Sequence, residues 1–256
     1  MSDVHGAAQR GFSVAAAAYV SGRPDYPAEI FGWLESDLGL RPGDRVLDLG
    51  AGTGKFSACL NAFGLNLTAV EPVEAMREAF SRAVPGFEAL PGSATEIPAR
   101  DSSFACVFCA QSFHWFANER ALSEIGRVLK PGGALGLVWN VRDESVAWVA
   151  QLARILAPYQ GDTPRYGDLK WRRLFPADGF GPLRERRFSH LHRGPVEAVI
   201  VERVLSTSFI ATLSAAEREK VAARTRELMA ATPELMGGEE VRFPYITFAY
   251  DCRKQE

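Results

Sequence analysis

The sequence predicts an α/β fold in which a mostly parallel sheet carries helices on both faces. Strand-like and helix-like segments alternate from residue 45 to residue 140, the order that a parallel sheet requires. The segments at 103–110 and 134–139 are almost continuously apolar, as strands are when helices cover both faces of a sheet. Ligands bind such sheets beyond the carboxyl ends of the strands, so polar residues there are the first functional candidates.

Hydrophobic periodicity and turn residues give the individual elements of this first half. The expected strands are 46–49, 65–70, 87–90, 103–110 and 134–139. The expected helices are 11–19, 28–38, one from residue 56, 73–83 and 119–129. Each helix lies between two strands or precedes the first one, which favours a parallel sheet with helices on both faces.

The second half of the chain has a different pattern. A helix is expected at 145–156, an irregular segment with three prolines at 157–180, and strands at 184–192 and 242–252. The largely helical segment 196–236 separates these strands, and Ser214-Ala-Ala-Glu217 has the pattern of a capping box. An antiparallel strand pair with a helical insertion would form a lid. We therefore expect one domain over 1–256, with an N-terminal lid and helix (1–40), a ligand-binding core (41–145) and substrate-lid helices with terminal strands (146–256).

The composition excludes several functional classes. The 256 residues include 47% hydrophobic and 23% charged residues, which is ordinary for a soluble globular chain. A formal net charge of -2 gives no support for nucleic acid or an anionic membrane as a partner. The apolar run 12–20 follows Asp3 and a single Arg10, and its short length argues against a signal peptide.

The cysteines predict buried, reduced thiols and not a metal site. Cys106 and Cys109 form a C-x-x-C pattern inside a strand-like apolar run, and no second pair is available for zinc. Reduced thiols suit a cytoplasmic protein. We therefore expect no metal and a cytoplasmic location.

The strongest functional signal is the turn after the first strand. In residues 45–55 (RVLDLGAGTGK), Gly50, Gly52 and Gly54 let the backbone approach a ligand closely, and the helix that follows offers unpaired N–H groups. The next strand ends in Glu71, and an acid at this point of a βαβ unit accepts hydrogen bonds from ribose hydroxyls. The pattern predicts a nucleoside site, and its alternative is a glycine-rich turn without a ligand.

The glycine spacing distinguishes two classes of nucleoside-binding site. A dinucleotide site has G-x-G-x-x-G, but the position of the third glycine counted from Gly50 is Lys55. The observed spacing is G-x-G-x-G. This argues against a nicotinamide-dependent oxidoreductase, which stays as an alternative that NADH binding would support.

Several motifs together resemble a known family. They are RPDYP (23–27), VLDLGAGTGKF (46–56), AVEP (69–72), GSATEIP (92–98), AQSFHWF (110–116) and EIGRVLKPGG (124–133). The chain resembles the class I S-adenosylmethionine (SAM)-dependent methyltransferases of the type 11 group, most of all the branch of trans-aconitate methyltransferase-like proteins. The match covers about the first 145 residues.

The resemblance implies a Rossmann-like class I methyltransferase fold with a seven-stranded sheet and one reversed strand. It implies SAM as cofactor and S-adenosylhomocysteine (SAH) as product. Glu71 would hold the ribose, the glycine turn would line the methionine part with Asp48 near its ammonium, and Ser93 would lie at the adenine edge, where the class often has Asp. The predicted cofactor-binding residues are Asp48, Gly50, Ala51, Gly52, Thr53, Gly54, Glu71, Pro72, Met76, Ser93, Ala94, Thr95, Gln111, Tyr19 and Arg23.

The acceptor side is less defined. SAM already activates its methyl group, so the protein mainly supplies positioning, and a general base is needed for a hydroxyl but not for a carboxylate. His114 is the candidate base or orienting group, with a structural histidine as the alternative. The predicted acceptor-binding residues are His114, Trp115, Asn140, Tyr26 and Trp148. Arg165, Arg172 and Arg173 are candidates for an acidic substrate or for a solvated basic face.

The sequence thus predicts a methyltransferase for a small-molecule acceptor, with O-methylation of a carboxylate or hydroxyl first and C-methylation second. A SAM-binding module that regulates a partner without methyl transfer is the alternative from another class. No nucleic acid or membrane partner is expected, and the chain would be a monomer or a homodimer.

Overall fold

A computed structural model describes residues 23–236 and 240–255, called the described residues below. They contain seven strands in one sheet. The strands are β1 (Arg45–Leu49), β2 (Asn66–Val70), β3 (Ala89–Leu90), β4 (Phe104–Ala110), β5 (Leu129–Arg142), β6 (Arg184–Gly194) and β7 (Val241–Arg253). Their order is β3-β2-β1-β4-β5-β7-β6, and only β7 runs antiparallel to its neighbours among these strands. The predicted fold class is confirmed.

The helices lie between these strands as the alternating pattern predicts. They are α1 (Ile30–Gly32, continuing as the π-helix Trp33–Asp37), α2 (Lys55–Ala62), α3 (Glu74–Ala83), α4 (Glu119–Val128), α5 (Ala147–Leu156), α6 (the π-helix Glu197–Glu202, continuing as Arg203–Leu205), α7 (Ser208–Ala211) and α8 (Ala215–Ala230). The expected helix at 11–19 lies outside the described residues.

Strand β5 is longer than the sequence predicts. The expected strand at 134–139 extends back to Leu129, which pairs with Phe104 of β4, and forward to Arg142, which pairs with Tyr245 of β7. The antiparallel partner β7 causes the forward extension, because its ladder with β5 continues past the end of the parallel core.

Two apolar clusters cover the two faces of the sheet. On one face, Ile125 and Val128 of α4 pack with Trp139 and Trp171. On the other face, the core includes the buried aromatic side chains of α1, α2, α3 and β4, namely Trp33, Phe56, Phe80 and Phe108. Full burial of each such side chain stabilises the fold by about 1.5–3 kcal/mol, so the sheet is a rigid base for the loops at its carboxyl edge.

A third apolar cluster joins α5, α6 and α8 to the first residues of β7. We call these three helices with α7 the cap. Helix α8 begins with the predicted capping box, in which Ser214 Oγ accepts the N–H of Glu217 at 3.3 Å and Glu217 Oε2 accepts the N–H of Ser214 at 3.4 Å. The cap is tied to the sheet near the carboxyl end of β5, since Arg142 donates to Thr207 Oγ1 at 3.4 Å.

The described residues contain no helix long and apolar enough to cross a membrane. Cys106 and Cys109 are buried free thiols within β4, and burial raises the pKa of both. No group of three or more histidine, cysteine or acidic side chains with metal-binding geometry occurs in the described part of the chain.

Candidate active site

The glycine turn is fixed to the end of β2. The N–H groups of Gly50 and Ala51 both donate to the carbonyl of Val70, at 2.8 and 3.1 Å. Gly54 closes the turn by donating to the Ala51 carbonyl at 3.0 Å and caps α2 with a φ of 85°, a left-handed conformation that glycine adopts without strain. The turn therefore has one conformation, set by its own sequence and by the neighbouring strand.

Glu71 connects this turn to the start of α3. Its Oε2 accepts the N–H of Gly52 at 2.9 Å and its Oε1 accepts the N–H of Val73 at 2.9 Å. Burial raises the pKa of Glu71, whereas the hydrogen bonds from Val73 and Gly52 oppose that change. An ionised carboxylate accepts about four hydrogen bonds, so Glu71 retains capacity for two more donors.

The three glycines of the turn have different surroundings. A Cβ added to Gly50 would lie 2.8 Å from Ser112 Cβ, and one added to Gly54 would lie 2.6 Å from Val84 Cγ2. A Cβ on Gly52, whose φ is +57°, would meet no protein atom within 4 Å. Gly50 and Gly54 are thus needed for packing against the protein, whereas Gly52 opens towards the cleft.

A cleft at the carboxyl edge of the sheet encloses about 1360 Å³ of space, its open mouth included. Most of the predicted cofactor-binding residues line it. These are Gly50, Ala51, Gly52, Thr53, Glu71, Pro72, Met76, Ser93, Ala94, Thr95, Gln111 and Arg23. Three of the predicted acceptor residues, Tyr26, Trp115 and Asn140, line it as well.

Gln111 and Asn140 close the cleft between β4 and β5. Gln111 has a φ of 57°, an uncommon conformation for a residue other than glycine, and its Nε2 donates to the Asn140 carbonyl at 3.1 Å. Both ends of the Asn140 amide are bonded to the protein, because its Nδ2 donates to the Asp25 carbonyl at 3.0 Å and its Oδ1 accepts the Thr247 hydroxyl at 2.6 Å. This network holds the segment at Asp25 against the end of β5.

Asp48 and Gly54 do not line the cleft, contrary to the predicted ligand contacts, and Tyr19 lies outside the described residues. Asp48 is fully buried, and its Oδ2 accepts the Ser57 hydroxyl at 2.6 Å. Its Oδ1 is buried without a hydrogen-bond partner from the protein. Burial is the main cause that raises the pKa of Asp48 to about 7.

The geometry of His114 does not favour the predicted base. Its Nδ1 accepts the indole N–H of Trp139 at 3.1 Å, so the proton of the neutral ring is on Nε2. Burial, with the positive charge of Arg23, lowers the pKa of His114 to about 3. His114 also does not line the cleft, so the alternative of a hydrogen-bonded structural histidine describes its position better.

Trp148 lies in the cap and not in the cleft, which corrects the predicted acceptor contact. It is buried in the third apolar cluster, with its ring centroid 5.0 Å from that of Phe243. The physical reason is that α5 directs Trp148, Val149 and Leu152 to the same apolar core.

The arginines expected to bind an acidic substrate are also elsewhere. Arg165 pairs with Asp168, and Arg172 pairs with Glu185 and lies over the ring of Tyr250. Arg173 is exposed, and none of the three lines the cleft.

The cleft also has lining residues that the sequence pattern did not predict. The unpredicted lining residues include Pro24, Lys55, Val73, Phe116, Asn118 and Arg203. Lys55 pairs with Asp25 at 2.7 Å. Asn118 could have been recognised as an N-cap residue, because asparagine is favoured directly before a helix. Its Oδ1 caps α4 by accepting the Ala121 N–H at 2.9 Å. Arg203 had no such signal, since its place depends on the folding of the cap.

Comparisons with known proteins identify the family to which this chain is related. The model of a methyltransferase domain family, type 11, matches residues 47–137. A methyltransferase-like protein of Schizosaccharomyces pombe, itself uncharacterised, is 38% identical over 95% of this chain and 95% of its own length. An uncharacterised methyltransferase of Mycobacterium tuberculosis is 39% identical over 92% of each chain. The solved structure of a candidate type II methyltransferase from Anaeromyxobacter dehalogenans shares the fold, with a TM-score of 0.64, 23% identity, and 91% and 97% of the two chains covered.

Proposed function

The chain belongs to the SAM-dependent methyltransferase family of these relatives, and we propose that it methylates an oxygen of a small-molecule acceptor, a carboxylate in preference to a hydroxyl. The motifs shared with the trans-aconitate methyltransferase-like branch support this choice of acceptor. The observation that carries the proposal is the lining of the cleft, in which the described residues combine the glycine turn and Glu71 with basic side chains and include no histidine.

The nucleoside side fits SAM. Glu71 has unused acceptor capacity for the two ribose hydroxyls, and the open space at Gly52 accommodates a chain that approaches the backbone. Ser93 Oγ and Thr95 Oγ1, 3.2 Å apart, supply polar groups for the adenine edge.

The acceptor side supports an acceptor that is already anionic. Among the described lining residues, Glu71 is the one carboxylate and there is no histidine, whereas Arg23, Lys55 and Arg203 are basic. Lys55 is paired with Asp25 and Arg23 belongs to the predicted cofactor-binding set, so we assign the acceptor's charge to Arg203. Methylation of a hydroxyl or a carbon acid gains from a base that removes a proton, but a carboxylate oxygen needs none. A carboxylate acceptor therefore matches both the charge of this side and its lack of a base.

Bound SAM would supply a methyl group activated by its positive sulfur. The residues of this chain would align the acceptor oxygen with that methyl group and exclude water. Trp115 and Tyr26 present large apolar surfaces to the cleft, and Gln111 and Asn140 fix its floor through their mutual hydrogen bond. Such positioning supplies a large part of the rate enhancement in a displacement reaction.

An acceptor screen tests the proposal. The purified protein would receive SAM with small carboxylic acids, the corresponding alcohols, proteins or RNA, and SAH release would be measured. We expect turnover with carboxylic acids, products that alkali hydrolyses as methyl esters, and loss of turnover in Glu71→Ala. Turnover limited to protein or RNA, or alkali-stable C-methyl products, would contradict the proposal.

A further inference from the structure

Two arginines from different parts of the chain meet beside the acceptor side of the cleft. Arg203 of α6 donates through Nη1 to Thr207 Oγ1 at 3.1 Å, and Arg142 at the end of β5 donates through Nη2 to the same oxygen at 3.4 Å. A shared acceptor brings the two guanidinium groups close together. Their like charges repel, and after burial the charge of Arg203 is the largest cause that lowers the pKa of Arg142, to about 10.

This pair has no neutralising partner among the described residues. Neither Arg142 nor Arg203 is within ion-pair distance of a described carboxylate, although Glu144 favours the charged form of Arg142 from further away. Other arginines of the second half are paired, including Arg172, Arg184 and Arg226. Two adjacent unpaired cations in a partly buried place are unfavourable unless an anion binds there.

Polar atoms around the pair lack partners as well. Arg142 Nε and Arg203 Nε are buried without a hydrogen bond to the protein, and the Tyr245 hydroxyl interacts with Arg142 and favours its charged form. Tyr245 is opposite Arg142 in the β5–β7 ladder, so both side chains are on one face of the sheet. Buried polar groups are almost always paired in folded proteins, so the unpaired Nε atoms of two arginines that share one acceptor indicate a site for a polar ligand.

The arginine pair adjoins the cleft. Arg203 itself lines the cleft, and so does Asn140, which precedes Arg142 by two positions on β5 and thus shares its face of the sheet. Arg142 and Tyr245 therefore extend the acceptor side of the cleft towards the cap.

We infer that Arg142, Arg203 and Tyr245 form an anion subsite that holds a carboxylate or phosphate group of the acceptor apart from the oxygen that is methylated. This inference rests on the proposed function, because it assigns the anchoring end of the same acceptor. Arginine suits this task, since its planar donors bind carboxylate and phosphate oxygens in pairs. The acceptor would then carry at least one anionic group that remains unmodified in the product.

Titration calorimetry of the SAH-saturated protein tests the subsite without turnover. The probes are succinate, glutarate and glycerol 3-phosphate, each beside its neutral counterpart, succinamide, glutaramide or glycerol. The first two anions test a carboxylate source and the third tests a phosphate source. We expect at least one anion to bind at least 10-fold more tightly than its neutral counterpart.

The variants are Arg203→Met, Arg203→Lys and Arg142→Met, with Arg224→Met as control because Arg224 is exposed on α8 away from the cleft. Loss of a charge-assisted contact predicts about 10- to 100-fold weaker anion binding in Arg203→Met and Arg142→Met. We expect partial retention in Arg203→Lys, no change in Arg224→Met, and unchanged SAH affinity in all of them, which also reports correct folding.

Three results would overturn the subsite: no anion binds the SAH-saturated wild type, anions bind no better than neutral counterparts, or the methionine variants that retain SAH binding also retain anion binding. In each case SAH still binds, so the cofactor side of the proposed function remains intact. If the wild type fails to bind SAH at all, the proposed function fails first and the subsite with it.

Discussion

The main-chain N–H of Gly52 donates a 2.9 Å hydrogen bond to Oε2 of Glu71, so the centre of the glycine turn and the predicted ribose acid form one connected unit. The turn follows β1 and the acid follows β2, and these two strands pair in parallel along their whole length. Parallel pairing places both carboxyl ends at one edge, which is why two signals separated by a helix converge on one cleft.

The different surroundings of Gly52 and Gly54 give a first prediction. Gly52→Ala adds a Cβ that meets only the open cleft, so we expect a stability loss of about 1–2 kcal/mol from the left-handed backbone and SAH binding weakened at least about 10-fold. Gly54→Ala adds a Cβ against Val84 and Phe80, so we expect a stability loss above about 3 kcal/mol. Urea unfolding and SAH titration of both variants measure the contrast. Equal effects on stability and binding would contradict it.

Asp48 predicts a pH dependence of stability in the ligand-free protein. Its pKa is about 7 in the fold against an ordinary value of 3.8, so the folded state binds more protons between these pH values. The unfolding free energy contributed by Asp48 therefore falls as pH rises from about 4 to about 7, by roughly 4 kcal/mol in total.

Asp48→Asn measures that contribution, because the amide oxygen still accepts the Ser57 hydroxyl but does not ionise. We expect the variant to gain stability relative to wild type as pH rises from 4 to 8 in urea titrations. A difference that stays constant across this range would show that Asp48 ionises normally.

We expect substitutions of His114 to change the stability of the fold and not the catalytic rate. In His114→Asn, the amide oxygen can accept the Trp139 indole N–H in place of Nδ1, so we expect turnover within a few-fold of wild type. His114→Ala leaves that N–H without its partner and should cost about 1–3 kcal/mol of stability.

The pH profile separates these roles of His114. Because its pKa is about 3, the stability it contributes is present above its unfolded pKa near 6.5 and is lost as pH falls towards 3. We expect kcat/KM between pH 5.5 and 8 to have the same shape in wild type and His114→Asn. An ionisation near pH 6.5 that disappears in the variant would indicate a base.

We expect substitutions of Trp148 to lower the stability of the fold with little effect on ligand binding in the cleft. Trp148→Ala should lower the unfolding free energy by about 3–5 kcal/mol, because it removes a ring packed on Phe243 in the cap. Trp148→Phe fills much of that space and should retain SAH affinity and acceptor KM. If Trp148→Phe raises KM without a loss of stability, Trp148 contacts the acceptor after all.

The meeting of the glycine turn and Glu71 at one edge of the sheet was predictable because its signals are local. The glycine turn and Glu71 belong to one βαβ unit, whose topology has essentially one handedness, so spacing alone brings them together. The position of Trp148 was also readable, since Trp148, Val149 and Leu152 repeat with helical spacing on one apolar face.

The acceptor side was not predictable, because it depends on contacts between distant segments. The bond between His114 and Trp139 joins the loop after β4 to β5, and no spacing rule specifies it. Arg203 reaches the cleft only because α6 packs on the start of β7. Arg165 and Arg172, which look equally basic in sequence, are paired with acids of their own neighbourhood.

The most direct test of the account is titration calorimetry of SAH, with NADH in parallel, against ligand-stripped wild type, Glu71→Ala and Glu78→Ala. Glu78 is the matched control, an exposed acid on α3 that does not line the cleft. We predict one-to-one SAH binding to wild type and Glu78→Ala, and no NADH binding. In Glu71→Ala the SAH affinity should fall at least about 100-fold, because two ribose contacts and the support of Gly52 are removed together. Absence of SAH binding to folded wild type, or equal SAH binding by Glu71→Ala, would contradict the central claim.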